Sequence, residues 1–409
     1  MPFFLLIVGF IFGLKYKFFY IFHPIKTFKT ILINQKGGFK SLSLALAATL
    51  GVGNIVGVSS AICMGGYGSI FWMWVSAFCA MSLKYAEVFL AMKYREKTVS
   101  GFKGGAPNYI FGGLKNKLGN KFALTLSMIF AILCVMNSLT TGNLVQINAV
   151  SSILPVSKLI FGLIFSILCV VVIIGGKKRI ASFNSVLIPL LTLSYVLICL
   201  YIILTNINKL PNAIFLIFKD AFTIKSAFSG AFGFTLSSAI RYGVSRGVLS
   251  NEAGCGTSPC AHATSDSKSI HGQGCLGIFE VFIDTILLCS LTAFVIILSG
   301  VNLSDNAMNV VLSAFEFFLG KQGYYFIGAS SILFAFATVS TQFFYGTESV
   351  SYISKSKWII VFFSIVFLIV LLLGAIIPMS IMWQISDFVL AVMTIFNIIC
   401  LILLFKETK

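Results

Sequence analysis

The sequence predicts an all-α protein that crosses a membrane many times, and three observations support this: its composition, its hydropathy and the length of its apolar runs. Of 409 residues, 58% are hydrophobic and 10% are charged, and the mean hydropathy is +1.01. Ordinary soluble domains contain about 25% charged residues. In a soluble protein, a net charge of +17 would suggest a nucleic-acid partner. Here the charge lies mainly between apolar runs, so we expect the lipid bilayer as the partner and no nucleic acid.

Ten apolar runs are long enough to cross a bilayer, since a span needs about 20 mostly apolar residues. They lie near 42–64, 69–92, 122–154, 159–175, 182–205, 226–250, 275–300, 323–353, 358–377 and 382–405. An eleventh run, near 3–22, has a shorter apolar core that Lys15 and Lys17 interrupt. We expect this run to form a short N-terminal helix with its N-terminus outside.

The positive charges are distributed unequally between the two sides of the membrane. When the loops are assigned alternately to the two sides, 21 of the 29 Lys and Arg residues fall on the side that holds the C-terminus, and five fall on the other. Loops rich in Lys and Arg remain in the cytoplasm. The sequence therefore predicts a multi-pass protein of the inner membrane of a bacterial-type cell, with its C-terminus in the cytoplasm.

The ten spans divide into two halves of five. Residues 1–40 form the short helix and a basic cytoplasmic loop, 41–205 the first half, 206–225 an outer linker and 226–409 the second half. Because five is odd, the second half enters the membrane in the opposite orientation. This organisation is typical of an inverted repeat, in which the first helix of each half is broken.

Both halves begin with a segment that favours a broken helix. Gly51, Gly53 and Gly57 interrupt the first span next to Asn54, and 228–238 is rich in Gly and Ser. Glycine weakens a helix by about 1 kcal/mol relative to alanine. Glycine also serves plain helix packing in membranes, which is the alternative for either segment alone.

A broken helix at bilayer depth predicts transport of a small solute. Its free carbonyls can bind a cation and its free amides an anionic group. An intramembrane enzyme is disfavoured because His23, His262 and His271 all fall in predicted loops or at span ends. A channel is disfavoured because no ring of identical charges or repeated filter loop is apparent. The ten cysteines match no disulfide or zinc pattern, and we interpret them as structural.

Several strings resemble the sodium:alanine (alanine or glycine:cation) symporter family from about residue 40 to the C-terminus. They are 47–58, Phe71-Trp72-Met73-Trp74, Lys84-Tyr85-Ala86-Glu87, Gly104-Gly105-Ala106-Pro107, Gly142-Asn143-Leu144-Val145-Gln146 and 246–254, which contains the specific string Ser250-Asn251-Glu252-Ala253-Gly254. The resemblance implies a leucine-transporter-like five-plus-five inverted repeat. It also implies import of a small neutral amino acid, such as alanine or glycine, coupled to Na⁺, with no other cofactor and with the monomer as the functional unit.

One departure from the family bears on the substrate. The family usually has a Trp followed by Ser-Tyr-Tyr-Gly in the eighth core helix, whereas this chain has Gln342-Phe343-Phe344-Tyr345-Gly346. The resemblance places that position beside the substrate. A larger polar amino acid such as glutamine, coupled to protons or to Na⁺, is therefore the alternative.

The candidate substrate residues follow from the chemistry of an amino acid. Amides around Gly51, Gly53 and Asn54 can bind its carboxylate, and carbonyls near Gly230 and Gly233 can accept from its ammonium group. The resemblance implies a substrate contact at Gln146, whose alternative role is hydrogen bonding between helices. Gln342 would then face the substrate side chain.

The candidate sodium ligands are neutral oxygens. Resemblance to the wider fold implies one site from the carbonyls of Ala47 and Leu50 and the hydroxyls of Thr338 and Thr341. Thr49 and the Asn54 side chain could form a second site. Threonines in membrane helices more often bond to their own backbone, which is the alternative for each hydroxyl.

Charged residues inside spans are functional candidates, because burying them in a bilayer is costly. Asp284 lies in an apolar run and is either a cation ligand or coupling carboxylate, or the ion-pair partner of Arg241 or Arg246. A coupling role for Asp284 would be required for proton coupling but not for sodium coupling.

The positions of two further pairs of polar residues predict their roles. Lys84 and Glu87 are three residues apart and are expected to pair locally. Asn251 and Glu252 lie at the cytoplasmic end of the sixth core helix, where we expect gating or loop-ordering contacts and no direct contact with the substrate.

Overall fold

The computed structural model describes residues 1–98, 101–222, 232–303 and 306–408, with the side chains of 34–36 and 232–237 excepted. The first part of the chain contains α1 (Pro2–Lys15), α2 (Phe19–Phe22), α3 (Pro24–Thr49), α4 (Val56–Gly65), α5 (Gly68–Lys93), a hairpin of β1 (Glu96–Thr98) and β2 (Gly101–Lys103), α6 (Ala106–Leu118), α7 (Asn120–Leu139), α8 (Val145–Val150), α9 (Lys158–Ile173), α10 (Gly176–Thr205) and α11 (Leu210–Ala221).

The second part of the chain is also helical. It contains α12 (Phe232–Asn251), α13 (Pro259–Ala263), α14 (Ile270–Val281), α15 (Ser290–Ser299), α16 (Ala307–Leu319), α17 (Lys321–Ile353), α18 (Lys357–Ile376) and α19 (Met379–Leu403). Two π-helical segments, Thr140–Leu144 and Phe282–Cys289, join α7 to α8 and α14 to α15. Such wide turns often occur at functional sites, because they redirect the side chains that follow.

Seven helices in the described parts of the chain are long and apolar enough to cross a membrane, and an eighth span results if one bent pair is counted as one. The seven are Gly68–Lys93, Asn120–Val150, Gly176–Thr205, Ile270–Ser299, Lys321–Ile353, Lys357–Ile376 and Met379–Leu403. The bent pair, Gly37–Thr49 with Val52–Gly65, turns by 59°. Of the remaining predicted spans, 159–175 corresponds to a shorter helix of 16 residues, and 226–250 lies partly outside the described residues.

Three segments are more helical than the sequence suggested. The basic segment before residue 41, predicted as a loop, belongs to α3, which begins at Pro24. The predicted linker 206–225 contains α11, and α16 lies where no element was expected. The charges in the first segment predict a break between spans. Lysine is a good helix former, however, so a charge ends a span without ending a helix.

The helices differ in how much of their surface the protein covers. In the apolar 18-residue stretches of α5 and α17, 78% of each stretch is buried inside the protein. The corresponding share is 28% for α18 and 33% for α10. Helix α5 contacts α12, α14, α1 and α11, and the side chain of Asp220 on α11 accepts a 2.9 Å hydrogen bond from the amide of Gly68. Helices α5 and α17 therefore form the centre of the bundle, while α10 and α18 present apolar side chains outward.

Glycines of α12 allow its close packing on α5, and Gly243 gives a testable prediction. A Cβ at Gly243 would lie 2.3 Å from the carbonyl oxygen of Ser69, whereas a Cβ at Gly57 would meet its nearest atom, on Leu249, at 3.9 Å. Overpacking of this kind costs about 1–3 kcal/mol. We expect Gly243→Ala to lower the thermal midpoint of the purified protein by at least about 2 °C. The matched change Gly57→Ala should leave it unchanged or higher, and equal midpoints for the two variants would contradict this packing.

Candidate functional site

The candidate site begins at the interruption between α3 and α4. Helix α3 ends at Thr49, Gly51 is extended (φ −122°, ψ −152°), and a single 3₁₀ turn over Val52–Asn54 precedes α4. All of residues 50–55 are buried. Backbone groups that leave a helix in a buried place need other hydrogen-bond partners, and side chains from distant elements provide them.

Gln146 and Thr338 provide two of these partners. The amide of Val52 donates to the side-chain oxygen of Gln146 at 3.0 Å, and the hydroxyl of Thr338 lies 3.5 Å from the carbonyl oxygen of Leu50. A Cβ at Gly51 would lie 2.6 Å from the side-chain oxygens of both Gln146 and Thr338. Glycine is therefore required at this position, because the two side chains close directly onto the backbone.

Gln146 reaches the break because of the π-helical segment that precedes it. It lies on α8, immediately after Thr140–Leu144, and its amide nitrogen donates to the carbonyl oxygen of Thr141 at 3.2 Å. The structure thus places Gln146 beside Gly51 and Val52, with both ends of its carboxamide hydrogen-bonded within the protein.

Asn54 connects the break to α12 and to the α14–α15 span. Its amide nitrogen lies 2.7 Å from Oδ1 of Asp284 and 2.9 Å from the hydroxyl of Ser250. Its backbone carbonyl accepts a 2.8 Å hydrogen bond from Thr292. Its side-chain oxygen is buried and has no hydrogen-bond partner among the described residues.

Asp284 is fully buried and is surrounded by donors. Besides the bond from Asn54 to Oδ1, its Oδ2 accepts from the hydroxyls of Ser250 at 2.8 Å and Thr285 at 2.7 Å. Thr285 in turn accepts from the side chain of Asn251 at 3.0 Å. These bonds stabilise a carboxylate in a place of low polarity, where an uncompensated charge is costly.

The expected alternative for Asp284, an ion pair with an arginine of α12, is wrong for Arg246. The guanidinium of Arg246 lies 2.7 Å from Asp387 and 4.1 Å from the centre of the Trp383 ring, both on α19. Arg241 stacks over the neighbouring Tyr242 ring at 5.6 Å. Within the described ranges no ion pair to Asp284 is present.

The other predicted sodium ligands lie in different surroundings. The hydroxyl of Thr49 is 3.4 Å from the carbonyls of both Ala45 and Leu46, so it faces its own helix. The hydroxyl of Thr341 donates to its own helix at Ala337 and accepts from Asn184 of α10 at 2.9 Å.

Among the described residues, one contact joins two of the predicted ligands of the first sodium site. Ala47 is fully buried in α3, two residues before that helix ends. Thr338 and the Leu50 carbonyl, which are 3.5 Å apart, are brought together.

Gln342 and Glu252 form a buried polar pair close to this region. The amide nitrogen of Gln342 donates to Oε1 of Glu252 at 2.7 Å, and the other carboxylate oxygen accepts from the hydroxyl of Thr257. The side chain of Gln342 packs on the π-helical segment, where a Cβ at Gly142 would lie 2.4 Å from its Cγ. The side-chain oxygen of Gln342 is buried without a hydrogen-bond partner in the described part of the chain.

The segment after α12 explains why Asn251 and Glu252 point in different directions. Glu252 has a left-handed backbone conformation, with φ at 50°. Asn251 faces Thr285, and its side-chain oxygen accepts from the amide of Ala253 at 2.9 Å. The turn therefore directs the side chain of Asn251 toward Thr285, next to Asp284, and that of Glu252 toward Gln342.

A second buried network of charges lies between α5, α13 and α14. The ammonium group of Lys84 is 3.2 Å from Oε1 of Glu280 and 2.6 Å from the hydroxyl of Ser258. Oε2 of Glu280 is 2.9 Å from Nε2 of His262, whose other ring nitrogen is 2.8 Å from the side-chain nitrogen of Gln273. All of these side chains are fully buried.

The predicted local pair of Lys84 and Glu87 is wrong. Glu87 instead accepts a 2.9 Å hydrogen bond from the amide of Gly256 and a 2.6 Å bond from Asn397. The sequence contained a signal that was overlooked: Glu280 precedes Asp284 by four residues in an apolar run, so both were candidates for one helix face. His262, assigned to a loop, lies in the short helix α13.

The structure does not describe the surroundings of two residues of the predicted substrate site. Gly230 lies outside the described residues, and Gly233 lies in the first turn of α12, where side chains are not described. The predicted break in the sixth core helix therefore falls at the edge of the described chain.

Three comparisons identify what the chain resembles. The sequence matches the sodium:alanine symporter family over residues 1–409. It is 35% identical over 384 residues to the sodium/alanine symporter AgcS of Methanococcus maripaludis, which covers 91% of this chain and 83% of AgcS. It is 33% identical over 380 residues to the probable sodium/glutamine symporter GlnT of Bacillus subtilis, covering 91% and 77% respectively.

The fold has a counterpart among solved structures. MhsT in complex with L-phenylalanine superimposes with a TM-score of 0.56 and 15% identity, over 88% of this chain and 87% of MhsT. The relationship to MhsT concerns the fold alone, which is that of the leucine transporter. The family match and the sequence relatives go further: this chain belongs to the sodium:alanine symporter family, a family of Na⁺-coupled amino-acid transporters and not of enzymes.

Proposed function

We propose that this protein imports a small neutral amino acid, such as alanine or glycine, together with Na⁺ by alternating access. The single observation that most supports this is the buried contact between Asn54, at the break, and Asp284. It places an unpaired acceptor and a carboxylate together at the point where the α3–α4 span opens. In other transporters of inverted-repeat design, broken helices bind the substrate and the coupling ion.

The proposed architecture follows the resemblance. The bent pair α3–α4 is the broken first core helix of a repeat over 41–205, and α12 belongs to the corresponding helix of a second repeat over 226–409. Residues 206–225 join the repeats on the outer side. The monomer is the functional unit, and the C-terminus lies in the cytoplasm of a bacterial-type cell, on the basic side of its inner membrane.

One proposed Na⁺ site lies between Asn54, Ser250 and Asp284. In the structure the amide nitrogen of Asn54 faces the carboxylate, and the amide oxygen has no hydrogen-bond partner among the described residues. Rotation of this carboxamide by half a turn would direct the oxygen toward the carboxylate, which is favourable only with a cation between them. Na⁺ would then have oxygen ligands from all three side chains.

A second proposed site uses the carbonyls of Ala47 and Leu50 with Thr338 and Thr341, as the resemblance implies. The 3.5 Å contact of Thr338 with the Leu50 carbonyl supports it. The sequence also suggests Thr49 as a ligand together with Asn54, but in the structure the Thr49 hydroxyl contacts its own helix.

The substrate carboxylate is proposed to bind amides around Gly51 and Gly53, at the positive end of α4. Carbonyls near Gly230 and Gly233 would accept from its ammonium group. Gln146 already holds the amide of Val52, and this contact supports a role in positioning the opened segment.

A specific observation favours glutamine as the second candidate substrate. The buried oxygen of Gln342 has no partner among the described residues, and its nitrogen is held by Glu252. A substrate carboxamide could donate to that oxygen, which would otherwise remain buried and unsatisfied at a cost of about 1–3 kcal/mol. The similarity to GlnT agrees with this alternative.

The proposal is tested by uptake into proteoliposomes. Radiolabelled alanine, glycine and glutamine are supplied with an inward Na⁺ gradient, with K⁺ in place of Na⁺, and with a proton gradient alone. We expect uptake of at least one of them only with the Na⁺ gradient. Uptake driven equally by protons without Na⁺ would contradict sodium coupling, and no uptake of any of the three would contradict the substrate class.

Neutralising Asp284 should weaken the response to Na⁺. Loss of one hydrogen-bonded charge costs about 1.5–3 kcal/mol, so we expect Asp284→Asn to raise the Na⁺ concentration for half-maximal uptake at least about tenfold. Asp387→Asn removes a carboxylate that is 37% exposed and paired with Arg246 on α19, and serves as the matched control. An unchanged Na⁺ dependence in Asp284→Asn would rule out this carboxylate as a ligand.

Replacing Gln342 should separate the two candidate substrates. Gln342→Leu keeps the approximate size of the side chain and removes its carboxamide, so glutamine uptake should fall at least about tenfold relative to alanine uptake if glutamine is recognised there. Gln322→Leu, an exposed position at the start of α17, controls for expression and folding. A parallel loss of both substrates would indicate that Gln342 acts only through Glu252.

A further inference from the structure

An apolar groove of about 670 Å³ lies beside the start of α3. It is bounded by α2 and the first turns of α3 on one side and by α5 and the α14–α15 span on the other. Ile25, Phe28 and Ile31 line it from α3, Phe78 from α5 and Phe282 from the π-helical segment. The groove is therefore separate from every residue proposed above for substrate or Na⁺.

The groove offers almost no polar group to a ligand. Its two hydroxyl-bearing side chains are already bonded to the protein: Tyr20 donates to the carbonyl of Phe78 at 2.8 Å, and Thr27 to that of His23 at 3.1 Å. Meanwhile Ile25 is 72% exposed and Phe28 is 51% exposed. Exposed apolar surface of this kind is suited to contact with an apolar ligand.

The depth of the groove indicates a hydrocarbon chain as its occupant. Phe78 is ten residues from the start of α5, which at 1.5 Å per residue is about 15 Å along the helix. Phe282 lies near the middle of the span Ile270–Ser299. Both positions are deep in a bilayer about 30 Å thick, where acyl chains surround the protein.

The segments of the chain that line the groove from α2 and α3 are strongly basic. No Asp or Glu precedes Glu87 in the sequence, whereas exposed lysines lie beside the lining residues. Lys17 is three residues before Tyr20, Lys26 is next to Ile25, and Lys29 is next to Phe28. Within the described ranges none of these three lysines forms an ion pair. Basic residues next to apolar ones at the end of a span attract anionic lipid headgroups.

We propose that this groove binds an anionic phospholipid, with one acyl chain against Phe28 and Phe78 and the phosphate among Lys17, Lys26 and Lys29. The apolar lining and the exposed lysines next to it in the sequence together match the two ends of such a lipid, and a zwitterionic lipid satisfies only the first. The site lies on α3, a continuous helix from Pro24 to Thr49. The lipid therefore contacts the same helix whose other end opens at the candidate transport site.

The test uses fluorescence at the groove. Phe28→Trp keeps an aromatic side chain at a half-exposed position, and the protein is placed in phosphatidylcholine nanodiscs with increasing fractions of phosphatidylglycerol brominated on its acyl chains. The signal of this tryptophan is the difference from the protein without the substitution. We expect saturable quenching at low lipid fractions, with an apparent affinity at least about tenfold higher than that for brominated phosphatidylcholine.

The variants locate the headgroup. Replacing Lys17, Lys26 and Lys29 together by Gln should reduce the preference for phosphatidylglycerol over phosphatidylcholine to below about twofold. The same change at Lys115, Lys121 and Lys355, exposed lysines on other elements, should leave it intact. In the protein with all of its lysines, 1 M NaCl should also reduce the preference, because the Debye length is then about 3 Å. Equal quenching by the two lipids, or a preference that survives both the groove triple variant and high salt, would overturn the proposal.

Discussion

The structure depends on how the opened backbone at residues 50–55 is stabilised inside the bundle. A buried segment that leaves its helix loses hydrogen bonds that a bilayer cannot replace. Here Gln146, Thr338 and Thr292 each bond to a backbone group of this segment, and they come from three separate elements. The break is therefore a junction between distant parts of the chain, so a change at the break alters the contacts of several helices at once. A transporter that alternates between two states needs an element of this kind.

Buried charge is the second constraint. Glu87, Glu252, Glu280 and Asp284 are all buried, and the nearby groups that can be positive are Lys84 and His262, both next to Glu280. The remaining carboxylates are stabilised by hydrogen bonds from amides and hydroxyls. An excess of acceptors over cations in a place of low polarity favours the entry of a cation. This balance is consistent with Na⁺ coupling and supports the role that we propose for Asp284 at the break.

Sequence reasoning located the break because local chemistry determines it: glycine spacing at Gly51 and Gly53 weakens a helix wherever it occurs. It also selected Asp284 and Asn54 as candidate site residues, since each is polar in an apolar run, but it did not place them together. Contacts such as Lys84 with Glu280 depend on helix rotation and packing, which a single sequence does not contain. The helicity of α11 and of the start of α3 was missed because polar composition was interpreted as loop.

The central claim is that the junction between the break and Asp284 binds Na⁺. It is tested most directly by equilibrium binding of ²²Na⁺ to the purified protein, without transport, compared with the Asn54→Leu variant. We predict saturable binding that weakens at least about tenfold in the variant, while the Asn184→Leu variant, altered on the far side of Thr341, retains the binding at this junction. Identical binding curves for Asn54→Leu and the unaltered protein would contradict the account.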